Sequence, residues 1–246
     1  MPSSNPVLNR PTFEESRSLA GAQPMTLSGT INKTILLLVL TAGTAALAWN
    51  YVLHSPSAAS LLLYGGIFAG LITALVAIFR PRTVPYTAPI YAVCEGSVIG
   101  VLSLIFEAKF PGIALQAVLL TFGIAFAMLA AFQTRLIRVS DTMRSVIVAA
   151  TGGVALLYFV SFICSWLFHW QMPLIYSSGP IGIAFSVVVI GLAAFNLVID
   201  FQAIEEGVER GAPKWMEWYG GFAILVTLVW LYIEVLRLLS KLARNR

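Results

Sequence analysis

The stretch AASLLLYGGIFAGLITALVAIF, residues 58–79, is apolar from end to end and contains no charged side chain. A run of about 20 such residues is the length that an α-helix needs to cross the hydrocarbon core of a bilayer. Its apolar residues do not alternate with polar ones, as they do in a membrane β-strand. Because every backbone N–H and C=O group must be paired inside hydrocarbon, the stretch predicts a transmembrane helix.

The rest of the chain has the same character. Hydrophobic residues make up 59% of it and charged residues only 11%, and the mean hydropathy is +0.87. Soluble domains carry about 25% charged residues, so the sequence predicts an all-α membrane protein. Seven spans are expected, at 34–53, 58–79, 86–106, 112–132, 146–168, 180–203 and 215–239. They form one transmembrane domain, 34–240, between a flexible cytoplasmic N-terminal tail, 1–33, and a short basic C-terminal tail, 241–246.

The distribution of Lys and Arg predicts the orientation, since cytoplasmic loops carry the excess of positive charge. Basic residues lie in the N-terminal tail and in the even loops, which are the loops after spans two, four and six. Arg80 and Arg82, for example, follow span two. The N-terminus is therefore expected in the cytoplasm. Seven spans then put the C-terminus outside, which conflicts with its cluster of basic residues, Arg237, Lys241, Arg244 and Arg246. The net charge of +4 forms no basic face, so no nucleic-acid partner is expected.

Three carboxylates lie well inside predicted spans: Glu95, Asp200 and Glu234. A charge at the bilayer centre costs roughly 2.5–3.5 kcal/mol on insertion scales, so such residues usually face a bundle interior and have a function. Two neighbouring carboxylates share a proton, which suits a proton sensor or a cation site of oxygen ligands. The alternative is a protonated, hydrogen-bonded side chain with a structural role. The other acidic residues at span ends, Glu107, Glu205, Glu206, Glu209 and Glu217, are expected at the solvated surface.

Depth along the helices relates these groups to one another. Arg80, at the end of span two, and Asp200, near the end of span six, lie at comparable depth, which allows an ion pair. A straight last span places Glu234 about 27 Å from its start, toward the opposite face. The G-x-x-x-G spacing of Gly96 and Gly100 indicates a close approach of two helices.

Several kinds of chemistry have no residues to support them. His54 and His169 lie at span ends and not within spans, so no Ser–His or carboxylate–His pair lies at a plausible depth for an intramembrane protease or hydrolase. Cys94 and Cys164 both lie inside apolar runs, and there is no glycine-rich phosphate loop. The sequence therefore predicts that the protein is not an enzyme and holds no cofactor or resident metal.

Several stretches match a known family. They are YAVCEG at 91–96, FPGIALQ at 110–116, GPIG at 179–182, NLVIDF at 196–201, GAPK at 211–214 and WLYIE at 230–234. Through them the chain resembles, over nearly its whole length, the bacterial branch of the Bax inhibitor-1 family, the YccA-like transmembrane proteins. The resemblance implies a bundle of seven helices with the last one central, in the bacterial inner membrane.

The resemblance also implies a pH-sensitive calcium leak, known from some members. In those, aspartates on the sixth and seventh helices form the sensor, and an arginine ending the second helix latches one of them. Asp200 matches the first aspartate and Arg80 the latch. Glu234 matches the second aspartate but is a glutamate. The interval between Asp200 and Glu234 is also longer than the corresponding interval in the calcium-leak members. Asp200 and Glu234 then become candidate transient calcium ligands.

Two functions from different classes follow. The first is a pH-sensitive calcium or other cation leak channel, with Asp200, Glu234, Arg80 and Glu95 in proton sensing or the ion pathway. The second is a non-conducting regulator that binds a membrane-anchored AAA protease, or other membrane partners, through lateral helix contacts. Membrane lipid surrounds the protein in both. A small-molecule transporter is disfavoured because the sequence shows no internal repeat.

Overall fold

A computed structural model describes residues 23–168, 175 and 177–245. Within these ranges, seven helices are long and apolar enough to cross a membrane. They are α1 Leu27–His54, α2 Ala58–Phe79, α3 Val84–Glu107, α4 Ile113–Gln133, α5 Asp141–Phe168, α6 Pro180–Glu209 and α7 Met216–Arg244. A 3₁₀ turn, Pro81–Thr83, joins α2 to α3. The prediction of an all-α, seven-helix membrane bundle is confirmed.

The helices extend beyond the predicted spans. α1 begins at Leu27, before the expected boundary at 33, and α7 runs to Arg244, past the boundary at 240. The side chain of Thr26 accepts a hydrogen bond from the Gly29 N–H and so caps α1. A helix of 28 residues is about 42 Å long, whereas the hydrocarbon core is about 30 Å thick. Hydropathy detects only the part inside hydrocarbon. The predicted flexible residues 1–22 lie outside the described ranges.

α7 occupies the centre of the bundle, as predicted. One of its faces packs in a cluster with α1, α2 and α3, to which it contributes Phe222, Leu225 and Val229. Its other side packs with α4 and α6 through a second cluster that includes Leu231 and Val235. α2 and α5 lie at the periphery, where α2 packs mainly on α3 and α5 mainly on α6.

The contact between α1 and α3 depends on two glycines. A Cβ atom at Gly100 would collide with the backbone carbonyl of Ala45, and one at Gly96 with Thr44. The absence of side chains at these positions lets the two backbones approach closely. The close approach predicted from the G-x-x-x-G spacing is thus confirmed, with α1 as the partner helix.

The two ends of the bundle can be told apart by their contacts. At one end, the Met25 N–H donates to the carbonyl oxygen of Ala212 at 2.7 Å, which joins the chain before α1 to the α6–α7 loop. At the other end, the Asn245 amide donates to the carbonyl oxygen of Ser178 at 2.6 Å. The even loops therefore share the end at which α1 begins, as seven alternating crossings require.

Two of the four residues of the basic cluster at the C-terminus are part of the folded bundle. Arg237 forms an ion pair with Glu234, and Lys241 is buried against α6. Residues engaged in this way make poor topology signals, because their charge is not displayed to the membrane surface. This accounts for the conflict between seven crossings and a basic end. Arg246 lies outside the described ranges.

Candidate functional site: a charged interface along the last helix

One side of α7 that faces α6 carries residues unlike the aliphatic ones around them. A seven-residue spacing keeps them on one side of the helix. They are Gly220, Thr227, Glu234 and Lys241. The first packs closely on α6, since a Cβ atom at Gly220 would lie 2.9 Å from Ile204. We call these four residues, together with Arg237 and the α6 residues that Gly220, Thr227 and Lys241 contact, the α6–α7 seam.

Asp200 lies in the lower half of the seam, toward the end at which α7 begins. Its side chain is half-buried, and its Oδ2 atom accepts a hydrogen bond of 2.7 Å from the hydroxyl of Thr227. Asp200, which matches the first aspartate of the family's sensor, therefore does face α7. A single neutral donor satisfies only part of the hydrogen-bonding capacity of a carboxylate.

Glu234 lies near the middle of α7, with only 1% of its surface exposed. Its Oε1 atom accepts two hydrogen bonds, from Arg237 Nη1 at 2.8 Å and from the Tyr158 hydroxyl at 2.5 Å. Arg237 Nη1 also donates to the Tyr158 oxygen at 2.6 Å, and its guanidinium lies 4.8 Å from the centre of that ring. Tyr158 belongs to α5, so this triad connects α5 to the central helix.

The second oxygen of Glu234 has no such support. Oε2 is buried and finds no hydrogen-bond partner among the described residues. Leaving a buried charged oxygen without a partner is unfavourable. The ion pair with Arg237, whose side chain is 25% exposed, balances the negative charge of the carboxylate but gives Oε2 no hydrogen bond. The carboxylate of Glu234 is therefore only partly satisfied by hydrogen bonds.

Lys241 closes the upper end of the seam. Only 3% of its surface is exposed, and its ammonium group donates to the carbonyl oxygen of Gly182 at 2.8 Å and to the hydroxyl of Ser186 at 2.9 Å. Both partners belong to α6. The seam thus runs from carboxylates in its lower and middle parts to two cations, Arg237 and Lys241, in its upper part.

Asp200 and Glu234 share the seam but do not touch. The partner of Asp200, Thr227, precedes Glu234 by two helical turns, which is about 10 Å along the axis. One calcium ion needs its oxygen ligands at about 2.3–2.6 Å, so both carboxylates cannot bind the same ion in this conformation. Across the described ranges, no three His, Cys, Asp or Glu side chains come together as a metal site would require.

The predicted latch between Arg80 and Asp200 is not formed. Arg80 is exposed at the end of α2, and no described acidic residue pairs with it. The physical reason is that α2 packs on α3 at the periphery and makes no extensive contact with α6. The equal depth of Arg80 and Asp200 in the bilayer allowed an ion pair. In this structure the two residues are separated laterally, because α2 does not pack on α6. Arg237 is the cation that pairs with a carboxylate of the seam.

Glu95 lies apart from the seam. It is half-buried on α3, and its Oε1 atom would be 3.1 Å from a Cβ atom added at Gly70 of α2. The carboxylate therefore occupies the α2–α3 interface, on the outer side of α3 from α7. The structure does not bring Glu95 together with the other predicted site residues.

Two residues expected at the solvated surface have structural contacts instead. Glu217 is fully buried, and its Oε1 atom accepts hydrogen bonds from the backbone and hydroxyl of Thr26 and pairs with Lys214 at 2.8 Å. Glu107 accepts the N–H groups of Gly112 and Ala114 and so caps α4. In both cases, a helix end within reach offers unpaired N–H groups that a loop position in the sequence does not reveal.

Some residues of the site had a signal in the sequence and others had none. Arg237 and Lys241 follow Glu234 at positions that share its face of a helix, so their pairing was open to prediction. They were interpreted as a basic tail instead. Tyr158 stands in an apolar run, and nothing in its neighbourhood indicates that its hydroxyl meets Glu234.

Comparison with family models gives one match. The model described as Bax inhibitor 1 like matches residues 5–244. The chain belongs to this family. No curated protein and no solved structure matches it. As a member of the Bax inhibitor-1 family with seven apolar helices, the protein is an integral membrane protein, and the family is not a known enzyme family.

Proposed function

We propose that this Bax inhibitor-1 family protein is a proton-regulated cation leak and that the structure represents its closed state. The observation that carries the proposal is the buried Glu234 carboxylate, held by Arg237 and Tyr158 near the middle of the central helix. Ionisable residues at such depth mark ion or proton pathways in membrane proteins. Calcium is the expected ion, because the family resemblance implies it and because it prefers oxygen ligands.

Protonation of Glu234 supplies the switch. Removing one member of a buried ion pair costs about 3–5 kcal/mol, and less where a quarter of one side chain stays exposed, as for Arg237. The charged or titratable groups beside Glu234 are Arg237 and Lys241 on α7 and Tyr158 on α5, whereas Asp200 of α6 lies about two helical turns away. With Glu234 neutral, Arg237 loses its partner and extends toward the membrane surface, as long basic side chains do. The contact between α5 and α7 then weakens, and the equilibrium shifts toward an open state.

The test is calcium flux into proteoliposomes, measured across pH for the wild type and single variants. Glu234→Gln mimics the neutral carboxyl group, and we expect its flux at neutral pH to rise about tenfold, as a shift of about 1.4 kcal/mol in the closed–open equilibrium produces. Arg237→Gln removes the other half of the pair and should have the same effect. Both variants should lose the pH dependence of the wild type.

Two further variants identify the groups that matter. Asp200→Asn should change the pH dependence, because Asp200 is the second carboxylate of the seam. Arg80→Ala should resemble the wild type, since Arg80 pairs with no seam residue in the closed state, and a large effect of this variant would favour the family latch instead. Asp141→Asn, an exposed residue of α5, serves as the matched control. Equal fluxes with one pH dependence in all these proteins would contradict the proposal.

We propose that the protein lies in the bacterial inner membrane with its N-terminus in the cytoplasm, on the basis of the positive loops. The non-conducting regulator of a membrane-anchored AAA protease stays the alternative prediction. It predicts no flux in any variant and recovery of the protease by cross-linking in native membranes.

A further inference from the structure

A long groove runs between α1 and α4, with α7 as its floor. It consists of two cavities, of about 530 Å³ and 1130 Å³, that share the lining residues Leu38, Phe122 and Leu228. In the described part of the chain, α1 and α4 make no extensive contact with each other, so the groove opens sideways into the membrane. Each cavity has the size that accommodates a drug-sized ligand.

The interior of the groove suits a hydrocarbon chain. The smaller cavity is lined mainly by aliphatic and aromatic residues, with four hydroxyl groups among them. Ser103 and Tyr232 hydrogen-bond to each other at 2.7 Å. Thr41 and Thr121 donate to backbone carbonyls of their own helices. These hydroxyl groups are therefore already satisfied, and an apolar chain would leave no new polar group without a partner.

The mouth of the larger cavity carries charges of both signs. Arg135 and Arg138, after α4, line one side, and Glu205 and Glu209, at the end of α6, line the other. All four are exposed, and none of them forms an ion pair with a described residue. This end of the groove is the one at which α1 begins, where a helix end reaches the headgroup region.

Arg135 also has an unusual backbone. Its φ of 58° is left-handed, and it is the only non-glycine residue with positive φ among those described. The Leu136 N–H donates to Ala131 O and the Arg135 N–H to Phe132 O, which is the pattern of a Schellman motif. Glycine is the favoured residue at this position. Arginine is less favourable than glycine for this backbone, so the backbone conformation does not account for the choice of this side chain.

We propose that the groove binds one phospholipid whose headgroup carries both a phosphate and a primary amine, as phosphatidylethanolamine does. An acyl chain lies in the apolar interior, the phosphate meets Arg135 and Arg138, and the ammonium group donates to Glu205 and Glu209. A glycerol headgroup has no cation for the two carboxylates. A choline headgroup has a cation without N–H donors.

The test uses the purified full chain in detergent and counts bound lipids by native mass spectrometry. The probes are dioleoyl phosphatidylethanolamine, phosphatidylcholine and phosphatidylglycerol, which share their acyl chains and differ only in the headgroup. We expect one phosphatidylethanolamine per protein, bound at least about fivefold more tightly than the other two, as loss of one charge-assisted contact implies. Equal binding of all three would overturn the headgroup assignment.

Single and double variants distinguish a loss of lipid binding from a loss of folding. Arg135→Gly places the favoured residue at the left-handed position, so the protein should stay at least as stable while its affinity for phosphatidylethanolamine falls severalfold. Glu205→Gln with Glu209→Gln should remove the preference over phosphatidylglycerol. The matched control is Arg82→Gln, an exposed arginine in another loop at the same end. Unchanged affinity in Arg135→Gly together with Arg138→Gln would overturn the proposal.

A further pair tests the interior. Ala125→Trp fills the larger cavity, whereas Leu119→Trp places the same ring on the exposed side of α4. Loss of the single bound lipid in Ala125→Trp alone supports the groove. Retention of that lipid in both variants shows annular binding and overturns it. The readout is lipid occupancy, so the result does not depend on whether the protein conducts ions.

Discussion

At the scale of single residues, the two fully buried carboxylates of α7 are stabilised to different extents. Glu217 receives two hydrogen bonds from Thr26 and an ion pair from Lys214. Glu234 depends on Arg237 and on the Tyr158 hydroxyl, and the Oε2 atom of each of the two carboxylates is buried without a hydrogen-bond partner among the described residues. We infer that Glu217 ties the start of α1 to α7, whereas Glu234 ties α5 to α7 through Tyr158.

This difference leads to a prediction for Glu217. Glu217→Ala removes the acceptor of two Thr26 donors and the partner of Lys214, and we expect it to destabilise the protein by about 2 kcal/mol. Thermal unfolding in detergent, followed by circular dichroism, measures the change. Asp141→Ala is the control, because Asp141 is exposed and forms no ion pair with a described residue. Equal midpoints for the two variants would show that the Thr26 contacts contribute nothing.

The sequence predicted the residues of the seam better than their partners. Asp200 and Glu234 stand out because charges are rare inside apolar runs, and both face α7 or lie on it. Their partners Thr227 and Tyr158 carry hydroxyl groups that are common in membrane helices and give no such signal. Arg80 was assigned to Asp200 by the family resemblance and by depth, and depth along the membrane normal contains no information about lateral position.

At the scale of elements, the packing of α3 on α1 depends on a glycine surface. Gly100→Leu would drive a side chain into the carbonyl of Ala45, which is backbone and cannot rotate away. We expect a loss of about 1–3 kcal/mol, as overpacking typically causes. Gly123→Leu on α4 is the matched control, since nothing lies within 4 Å of a Cβ atom there. Thermal unfolding of both variants measures the effect, and similar midpoints would mean that α1 and α3 can separate without cost.

The elements themselves were predictable, but their ends were not. An apolar run of about 20 residues identifies a crossing helix, because hydrocarbon leaves the backbone no alternative. The extension of α1 back to Leu27 depends on the Thr26 cap and on Glu217 of another helix. Those contacts join residues that are far apart in the sequence. Hydropathy is a local property of neighbouring residues, so it cannot reveal such contacts.

At the scale of the whole molecule, α7 combines two roles that are usually separate. It is the packing core of the bundle, with apolar clusters on both sides, and it also carries the charged seam toward α6. Its central position was implied by the family resemblance and by no feature of composition. Under the proposed function, a buried carboxylate on this central helix couples a change of its charge to the packing of the neighbouring helices.

The arrangement of the whole bundle predicts which loops face which side. With the N-terminus in the cytoplasm, seven crossings place the α1–α2 loop and the end of α7 outside, and the α2–α3 loop inside. In a background of Cys94→Ala and Cys164→Ala, single cysteines at exposed positions report this: Ser57→Cys, Arg82→Cys and Asn245→Cys. A membrane-impermeant maleimide added to intact cells should label Ser57→Cys and Asn245→Cys, and should label Arg82→Cys only after permeabilisation.

Labelling of Asn245→Cys, at the end of α7, decides whether all seven helices cross the membrane. Asn245 donates to Ser178 in the α5–α6 connection, so the two must lie on the same side. Labelling of Ser57→Cys without Asn245→Cys in intact cells would mean that one helix does not cross, as the basic C-terminus first indicated. Labelling of Arg82→Cys alone would mean that the whole bundle is inverted. The expected pattern places the charged mouth of the groove in the cytoplasmic leaflet and the Lys241 end of the seam at the outer face.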